Sequence, residues 1–296
     1  MLQLCNIDKS YGKNHALNHF SFSFSNGIYA LLGPNGAGKS TLMNILVQNL
    51  LPDSGTILLD GKDTRKMGAS YRKFIGYMPQ YTGMYPNFTV LEMLSYIAKL
   101  KGLEYTEAIQ QIDSLLTTVE LADVKDRRLS MLSGGMRQRV ALVQALLADA
   151  KIILLDEPTA GLDPKQRIIV RNLISQYALH HTVLLATHVV SDVESIAQTV
   201  LFLKKGSLLC AGSVKEISAQ ATGKIFEVVT DETGFEELRQ RYRVLHLSRS
   251  DETLSVRIIA EQKPDGAIPV KPTLEDSYLY TFDDLPSEEK ETILSC

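Results

Sequence analysis

Three short, uninterrupted apolar segments limit the folds that this sequence can adopt. They cover residues 28–32, 152–155 and 183–186, and none of them alternates with polar residues. A strand with one solvated face alternates, whereas a strand covered on both faces is apolar throughout, as in the parallel sheets of α/β proteins. We therefore predict an α/β fold with a covered parallel sheet at its core.

The first apolar segment leads into a glycine-rich loop and then into a helix predicted over residues 39–50. The loop consists of Gly33, Pro34, Asn35, Gly36, Ala37, Gly38, Lys39, Ser40 and Thr41. Glycines let backbone N–H groups wrap around phosphate oxygens, and the following helix presents its positive end to the same place. We predict that Lys39 reaches the β and γ phosphates of a nucleotide and that Ser40 binds Mg²⁺.

Two adjacent carboxylates follow the second apolar segment. Asp156 should emerge at the carboxyl edge of the sheet beside the glycine-rich loop, where ligands collect in open α/β folds. That position suits a Mg²⁺ ligand. Glu157 is then the candidate for orienting and activating the water that attacks the γ-phosphate. An Asp-Glu pair usually begins a solvated loop, so the prediction depends on its place after this strand.

Two further regions flank the core. Residues 2–8 and 20–24 alternate as half-buried strands do, and they predict an antiparallel edge. Residues 89–149 have helical spacing and predict a helical insertion. One apolar face of the insertion consists of Val90, Met93, Leu94, Ile97 and Leu100.

A second candidate anion site lies between the two halves of the nucleotide site. Ser133, Gly134 and Gly135 begin a predicted helix, whose N–H groups and positive end favour an anion. They would form a second phosphate site of the kind that the glycine-rich loop already provides. Two separate γ-phosphate sites in one chain are explained if two subunits pack head to tail and each completes the site of the other.

These motifs and their order resemble the ATP-binding subunits of ABC transporters over about residues 1–220. The resemblance implies hydrolysis of ATP with Mg²⁺, and it assigns further roles. Tyr11 would stack on adenine, and His188 would contact the γ-phosphate. Gln80 would bind Mg²⁺ and connect it and the attacking water to the helical insertion. Asp163 would lie at the dimer seam.

Two of these positions need comment. The family pattern has Gln after Ser-Gly-Gly, where this chain has Met136. Because the Ser133 hydroxyl and the glycine backbone would meet the phosphate, we expect binding to persist. Asp163 would also serve as a plain helix N-cap before Pro164, and the two roles are compatible.

The resemblance fits residues 1–222 as an ABC ATPase domain, a P-loop NTPase core with the antiparallel edge and the helical insertion. The character of the sequence changes after Thr222, where we place a domain boundary. Residues 223–296 are predicted to form a small C-terminal α/β domain. Its acidic end, residues 283–296, is expected to be frayed.

Membership of this family would make the chain the ATP-hydrolysing subunit of a transporter. Its partners would be a second ATP-binding subunit, identical or related, and a separate integral membrane permease. Residues 271–280 resemble the ending of exporter subunits for drugs, antibiotics or bacteriocins, and they favour export. The alternatives are an importer subunit or a soluble ABC ATPase. A P-loop kinase would not need residues 133–135.

Charge and cysteine content bear on the partners and the compartment. The net charge of −3 gives no general basic field for nucleic acid. Cys5, Cys210 and Cys296 are too far apart and too few for a disulfide framework, so a reducing cytoplasm fits best. The sequence has neither a basic-then-apolar leader nor an apolar stretch of the ~18 residues that a spanning helix needs. We expect a cytoplasmic protein held at the membrane through its permease.

Overall fold

The computed structural model describes residues 1–80, 83–250 and 253–282. The chain divides into two compact units, Met1–Cys210 and Ala211–Cys296. This spatial division falls twelve residues before the boundary predicted after residue 222. The difference arises because the short helix at Val214–Ala219 packs within the second unit, against the helix at Leu274–Phe282.

The helices and strands are numbered in chain order. The first strands are β1 (Leu2–Tyr11), β2 (Asn14–Phe24), β3 (Gly27–Leu32), β4 (Ser54–Leu59), β5 (Lys62–Asp63), β6 (Ile75–Met78), β7 (Ile152–Asp156), β8 (Thr182–Ala186), β9 (Thr199–Lys204) and β10 (Ser207–Gly212). The helices among them are α1 (Lys39–Leu46), α2 (Thr64–Met67), α3 (Val90–Lys101), α4 (Tyr105–Thr118), α5 (Gly134–Leu146), α6 (Pro164–Ala178) and α7 (Val190–Ile196). The second unit continues with α8 (Val214–Ala219), β11 (Ile225–Thr230), α9 (Glu232–Arg241), β12 (Arg243–Ser250), β13 (Thr253–Ile259), β14 (Ile268–Pro269) and α10 (Leu274–Phe282).

The central sheet has the strand order β10-β9-β3-β8-β7-β6. Strand β3 pairs in parallel with β8 and β9, and β7 pairs in parallel with β6 and β8. Every residue of β3, β7 and β8 is buried, which explains why these strands are apolar along almost their whole length. The predicted parallel core is confirmed, and the chain segments that leave β3, β7 and β8 emerge side by side at one edge.

A second sheet forms the predicted antiparallel edge, in the order β2-β1-β4-β5. Its apolar residues share one core with α1 and with the central sheet, through side chains such as Ile7, Phe20, Leu42 and Leu154. Helix α1 ends at Leu46, four residues before the predicted end. The helix stops there because Gln48 takes a left-handed backbone with φ of 58°.

The predicted helical insertion contains α3, α4 and α5. Thr89 and Glu92 form a capping box at the start of α3, in which each side chain accepts a hydrogen bond from the backbone N–H of the other. Val90, Met93 and Leu94 are buried as predicted. Leu100, at the end of the same predicted face, is 63% exposed and lines a groove together with Ile97.

The C-terminal unit contains an antiparallel sheet with the strand order β12-β13-β11-β14. Helix α9 packs on one face, where Phe235 and Leu238 meet a small core that includes Val256 and Ile258. Helix α10 begins after Thr273, whose Oγ1 accepts the backbone N–H of Asp276 at 3.2 Å. The predicted acidic tail lies outside the described residues. Within the parts of the chain that are described, none of the helices combines the length and apolar character that crossing a membrane requires.

Candidate functional site

A cavity of about 640 Å³ lies at the carboxyl edge of the central sheet. It is lined by Tyr11, Asn14, Ala16, Asn35, Gly36, Ala37, Gly38, Lys39, Ser40, Thr41, Gln80, Asp156, Glu157 and His188. The chain segments after β3, β7 and β8 supply most of this lining, because parallel strands deliver their carboxyl ends to the same edge. The structure therefore brings together residues that are up to 177 positions apart in the sequence, Tyr11 and His188.

At two positions of the glycine-rich loop between β3 and α1, another part of the backbone approaches so closely that only glycine fits. A Cβ at Gly33 would lie 2.2 Å from the carbonyl oxygen of Leu203, and one at Gly38 would lie 2.4 Å from that of Ala16. Gly38 also has a φ of 108°, which L side chains rarely adopt. The loop thus remains open towards the cavity, with the N-terminus of α1 behind it.

Lys39 occupies the centre of this loop. Its ammonium donates hydrogen bonds to the backbone oxygens of Gly33 at 2.5 Å and Pro34 at 3.2 Å. Gly33 and Pro34 therefore shape the site through their carbonyls and do not line the cavity itself. Burial lowers the pKa of Lys39, and the neighbouring Glu157 and Asp156 act in the opposite direction. The ammonium lies in the cavity wall, where it can meet an anion.

Asp156 ends β7 and is buried beside the loop. Burial and, to a smaller extent, the neighbouring Glu157 raise the pKa of its carboxyl to about 6, although Lys39 acts in the opposite direction. A cation at this position would stabilise the ionised carboxylate. Ser40, Gln80 and Asp156 present a hydroxyl, an amide and a carboxylate to the cavity, which are the hard oxygen donors that Mg²⁺ prefers. The residues present fit the predicted ion.

Glu157 is held at both carboxylate oxygens by the segment after β8. Its Oε2 accepts from the Thr187 hydroxyl at 2.9 Å, and its Oε1 accepts from the backbone N–H of His188 at 3.0 Å. The ring Nδ1 of His188 lies 2.6 Å from the same Oε1. The side chain of Glu157 is only 10% exposed, whereas that of His188 is 74% exposed. The two predicted catalytic residues are thus in direct contact.

Tyr11 lies at the outer end of the cavity and is 52% exposed. The ammonium of Lys9 is 6.0 Å from the centre of its ring. An exposed ring at the mouth of a cavity offers a flat face for a base, so the predicted stacking role is sterically open.

The predicted second anion site lies apart from this cavity. Ser133 is exposed at the start of α5, and its hydroxyl oxygen accepts the backbone N–H of Met136 at 3.2 Å. Gly134 and Gly135 form the first residues of that helix. Asp163 is the N-cap of α6, where its carboxylate accepts from Gln166 at 2.9 Å. None of these four predicted contact residues lines the cavity of its own chain.

Three residues at the site were missed by sequence reasoning. Asn14 and Ala16 line the cavity from β2, and Thr187 binds Glu157. Asn14 and Ala16 carry no motif, and they reach the site only because the antiparallel sheet packs beside the loop. Thr187 could have been suspected, since a hydroxyl directly before His188 leaves the same strand.

Comparison with known proteins identifies the family. The family model described as ABC transporter matches residues 17–160. An uncharacterized ABC transporter ATP-binding protein, YxlF of Bacillus subtilis (strain 168), is 37% identical over 233 residues, which cover 78% of this chain and 77% of the relative. A probable sulfate/thiosulfate import ATP-binding protein, CysA of Chlorella vulgaris, is 36% identical and covers 73% and 93%. A Nod factor export ATP-binding protein I of Paraburkholderia xenovorans (strain LB400) is 34% identical and covers 73% and 72%. The match to the phospholipid-transporting ATPase ABCA3 of Rattus norvegicus, 36% identical, spans 72% of this chain and 12% of that protein.

Solved structures give the same result. An ATP-binding subunit of an ABC transporter superposes with a TM-score of 0.70 at 26% identity, covering 74% of this chain and 92% of its own. The cassette MJ0796, as a dimer in a post-hydrolysis state with ADP and Pi, gives 0.67 at 27% identity, with 72% and 98% covered. The protein cbiO1 of Clostridium perfringens, part of the ABC transporter complex cbiONQ, gives 0.66 at 28% identity, with 81% and 94% covered. The chain therefore belongs to the ABC transporter family, as an ATP-binding subunit with the fold of an ATPase.

Proposed function

We propose that this subunit binds MgATP in the cavity, closes on a second ATP-binding subunit and hydrolyses the nucleotide to drive a membrane permease. One observation supports the proposed dimer. The anion site at residues 133–135 is exposed and lies apart from the cavity that contains Lys39, Asp156 and Glu157. Each chain therefore has a half-site for the phosphates that a second chain would hold, and head-to-tail packing uses both.

Each cavity residue has a role that follows from its chemistry. Lys39 leaves the carbonyls of Gly33 and Pro34 to bind the β and γ phosphate oxygens, because charged oxygens are stronger acceptors. Mg²⁺ would neutralise charge on the phosphates, with Ser40, Gln80 and Asp156 as its protein ligands. His188, whose ring is exposed, turns towards the γ-phosphate.

That movement of His188 frees one acceptor position on Oε1 of Glu157, which still accepts the backbone N–H of His188. In the structure, both carboxylate oxygens of Glu157 are occupied by Thr187 and His188. Once the imidazole contacts phosphate, Oε1 can accept a proton from the attacking water, while Thr187 keeps Oε2 in place. We propose this sequence as the way in which binding of ATP prepares the carboxylate.

The half-site of the second subunit remains chemically competent although Ser133 caps a helix. A hydroxyl has one proton to donate as well as lone pairs that accept. Since the Ser133 oxygen accepts from Met136, its proton is available for a γ-phosphate oxygen. The N–H groups of Gly134 and Gly135 and the positive end of α5 add to that attraction.

Replacing Lys39 by Ala tests the nucleotide site. Loss of a charged hydrogen-bond donor to phosphate should weaken MgATP binding by about 10- to 100-fold. Calorimetric titration of the purified chain measures this affinity. Lys215→Ala, which removes an exposed lysine of α8, is the matched control and should bind ATP as the unmodified chain does. Equal affinity of the Lys39 variant would refute the proposed phosphate contact.

The permease is proposed to dock on the helical insertion. Tyr85, Phe88 and Tyr96 form an exposed aromatic cluster, with ring centroids 5.1 to 6.4 Å apart. Exposed aromatic clusters of this kind are enriched at protein interfaces. Tyr81 and Thr82, between Gln80 and this cluster, lie outside the described residues. The cluster is close in sequence to Gln80, which lines the cavity.

A groove of about 580 Å³ borders α3, the helix that also carries Tyr96, and Ile97 and Leu100 contribute to its wall. The groove also has the cations Arg72, Lys73 and Lys101 along it. Apolar walls with cations suit a permease segment that presents apolar side chains and carboxylates. We call the aromatic cluster together with this groove the docking face.

Replacing Tyr96 by Ala tests the docking face. Truncating a tyrosine at the centre of an interface often costs about 2 kcal/mol, so the affinity for the permease should fall about 30-fold. The chain is co-expressed with the permease that co-purifies with it from membranes, and binding is titrated in detergent. Tyr105→Ala removes a tyrosine of α4 that is 75% exposed and lies outside the cluster, and it should bind normally. Equal loss in both variants, or in neither, would remove the docking face from the proposal.

Export is the proposed direction of transport, with import as the alternative. Residues 271–280, which favour export, comprise the three residues before α10 and most of that helix in the C-terminal unit. Relatives include both a Nod factor export protein and a sulfate/thiosulfate import protein, so similarity alone supports either direction. ATP-dependent uptake into inverted membrane vesicles would support export, and uptake into right-side-out vesicles would support import. We place the chain at the cytoplasmic face of the membrane through its permease.

A further inference from the structure

A side chain of α5 contacts the backbone of the proposed water-activating residue. The side-chain nitrogen Nε2 of Gln138 lies 2.7 Å from the carbonyl oxygen of Glu157. A carbonyl oxygen only accepts, so the amide NH₂ of Gln138 must face it. Gln138 is half-buried, which shields this hydrogen bond partly from water. Sequence reasoning assigned no role to Gln138.

Glu157 has a backbone conformation that needs support. Its φ of 54° is in the left-handed region, which costs energy for a residue other than glycine. Its N–H donates to the carbonyl of Ala186 at 2.8 Å, and its carbonyl also accepts from Ala160 at 3.2 Å. Gln138 therefore completes a set of contacts that fixes the Glu157 peptide. Because the peptide fixes the direction of the side chain, the same contacts aim the carboxylate.

Helix α5 connects this contact to the second anion site. Gly134, the first residue of α5, is only four residues before Gln138, which is little more than one helical turn. Arg139 ties the helix to the rest of the insertion through a 2.6 Å hydrogen bond to the carbonyl of Val119. A displacement of the anion-binding end of α5 must therefore carry Gln138 with it.

We propose that Gln138 is a positioning residue that couples the anion-binding end of α5 to Glu157 of the same chain. The proposal depends on the proposed role of Glu157. When residues 133–135 engage the phosphates held by a second subunit, α5 takes up its closed position. Gln138 then holds the Glu157 peptide in the orientation that its own nucleotide requires. Binding at one cavity of the dimer thereby prepares the carboxylate of the other.

The substitution Gln138→Met tests this role, because it keeps the length of the side chain and removes the amide. We expect kcat for ATP to fall about 5- to 10-fold, as for the loss of one hydrogen bond, and KM to stay within about twofold. Gln110→Met, an exposed position on α4, is the matched control and should change neither constant. Thermal unfolding of both variants establishes that each is folded, and Gln138→Ala provides a second variant without the thioether.

A double substitution separates positioning from general packing. In a Glu157→Gln background, Gln138→Met should lower the residual turnover no further, because its effect passes through the missing carboxylate. Dimers that form with ATP in that background should also persist. Equal losses in both backgrounds, or a rise in KM that accounts for the loss, would overturn the positioning role. Unchanged kcat in Gln138→Met together with inactive Glu157→Gln would overturn this inference alone. Full turnover in Glu157→Gln would instead remove the proposed function of that carboxylate.

Discussion

Replacing Glu157 by Gln is expected to lower kcat for ATP hydrolysis by about 10²- to 10⁴-fold, the range that general-base groups contribute. The amide nitrogen of glutamine cannot take a proton from water, so the chemical step is lost. Binding should survive, because Lys39, Ser40 and Asp156 are unchanged around the cavity. ATP that binds without being hydrolysed keeps the two subunits closed. We therefore expect dimers to accumulate on size-exclusion chromatography in MgATP.

The control for this variant is Glu236→Gln, the same change at a position of α9 that is 61% exposed. Under the same conditions, it should hydrolyse ATP and remain monomeric, as we expect of the unmodified chain. Two results would contradict the proposal. Normal turnover in Glu157→Gln would remove the role in activating water. Lost turnover without accumulation of dimers would agree with the role of Glu157 in hydrolysis but would contradict the closed dimer.

Replacing Ser133 by Arg is expected to abolish ATP-driven dimerisation and hydrolysis, while each monomer still binds ATP with its normal affinity. The bulky side chain would occupy the space that the γ-phosphate of the second subunit needs at the start of α5. Binding is unaffected because Ser133 does not line the cavity of its own chain. Loss of the N-cap should cost about 1 kcal/mol of stability, which a thermal melt measures. Ser114→Arg on the exposed side of α4 is the matched control.

A mixture of Ser133→Arg with Lys39→Ala makes the test specific for shared sites. Each variant alone has two damaged sites in a homodimer. In the mixed dimer, one site combines the intact loop of the Ser133 variant with the intact α5 of the Lys39 variant, while the other site has both defects. We expect mixed dimers to occlude one ATP and to recover hydrolysis that neither variant shows alone. Mixed dimers that form without occluding ATP would contradict the shared-site model.

Much of this molecule could be predicted because its signals are local. Uninterrupted apolar segments marked β3, β7 and β8, and the structure places them side by side in a parallel sheet. The glycine-rich loop and the carboxylates after β7 follow directly from those strands. Their roles in binding and hydrolysis remain predictions that the proposed variants test, although the cavity assembles them in one place.

Other features depend on contacts that no local pattern records. Leu100 continues the apolar spacing of α3, yet it is exposed and borders the groove together with Ile97. The spatial division after Cys210 precedes the compositional change at Thr222, since α8 packs with the second unit. Asn14 joins the cavity only through the packing of β2.

The sequence by itself determined the parallel core, the glycine-rich loop and the order of the chemical groups along the chain. Periodicity and glycine placement are sufficient for these, because strands, turns and helix starts depend on neighbours within a few residues. The tertiary structure alone decided that Thr187 and His188 hold the Glu157 carboxylate and that Gln138 holds its peptide. These contacts join residues 19 to 31 positions apart, and only the packing of α5, β7 and β8 brings them within hydrogen-bonding distance.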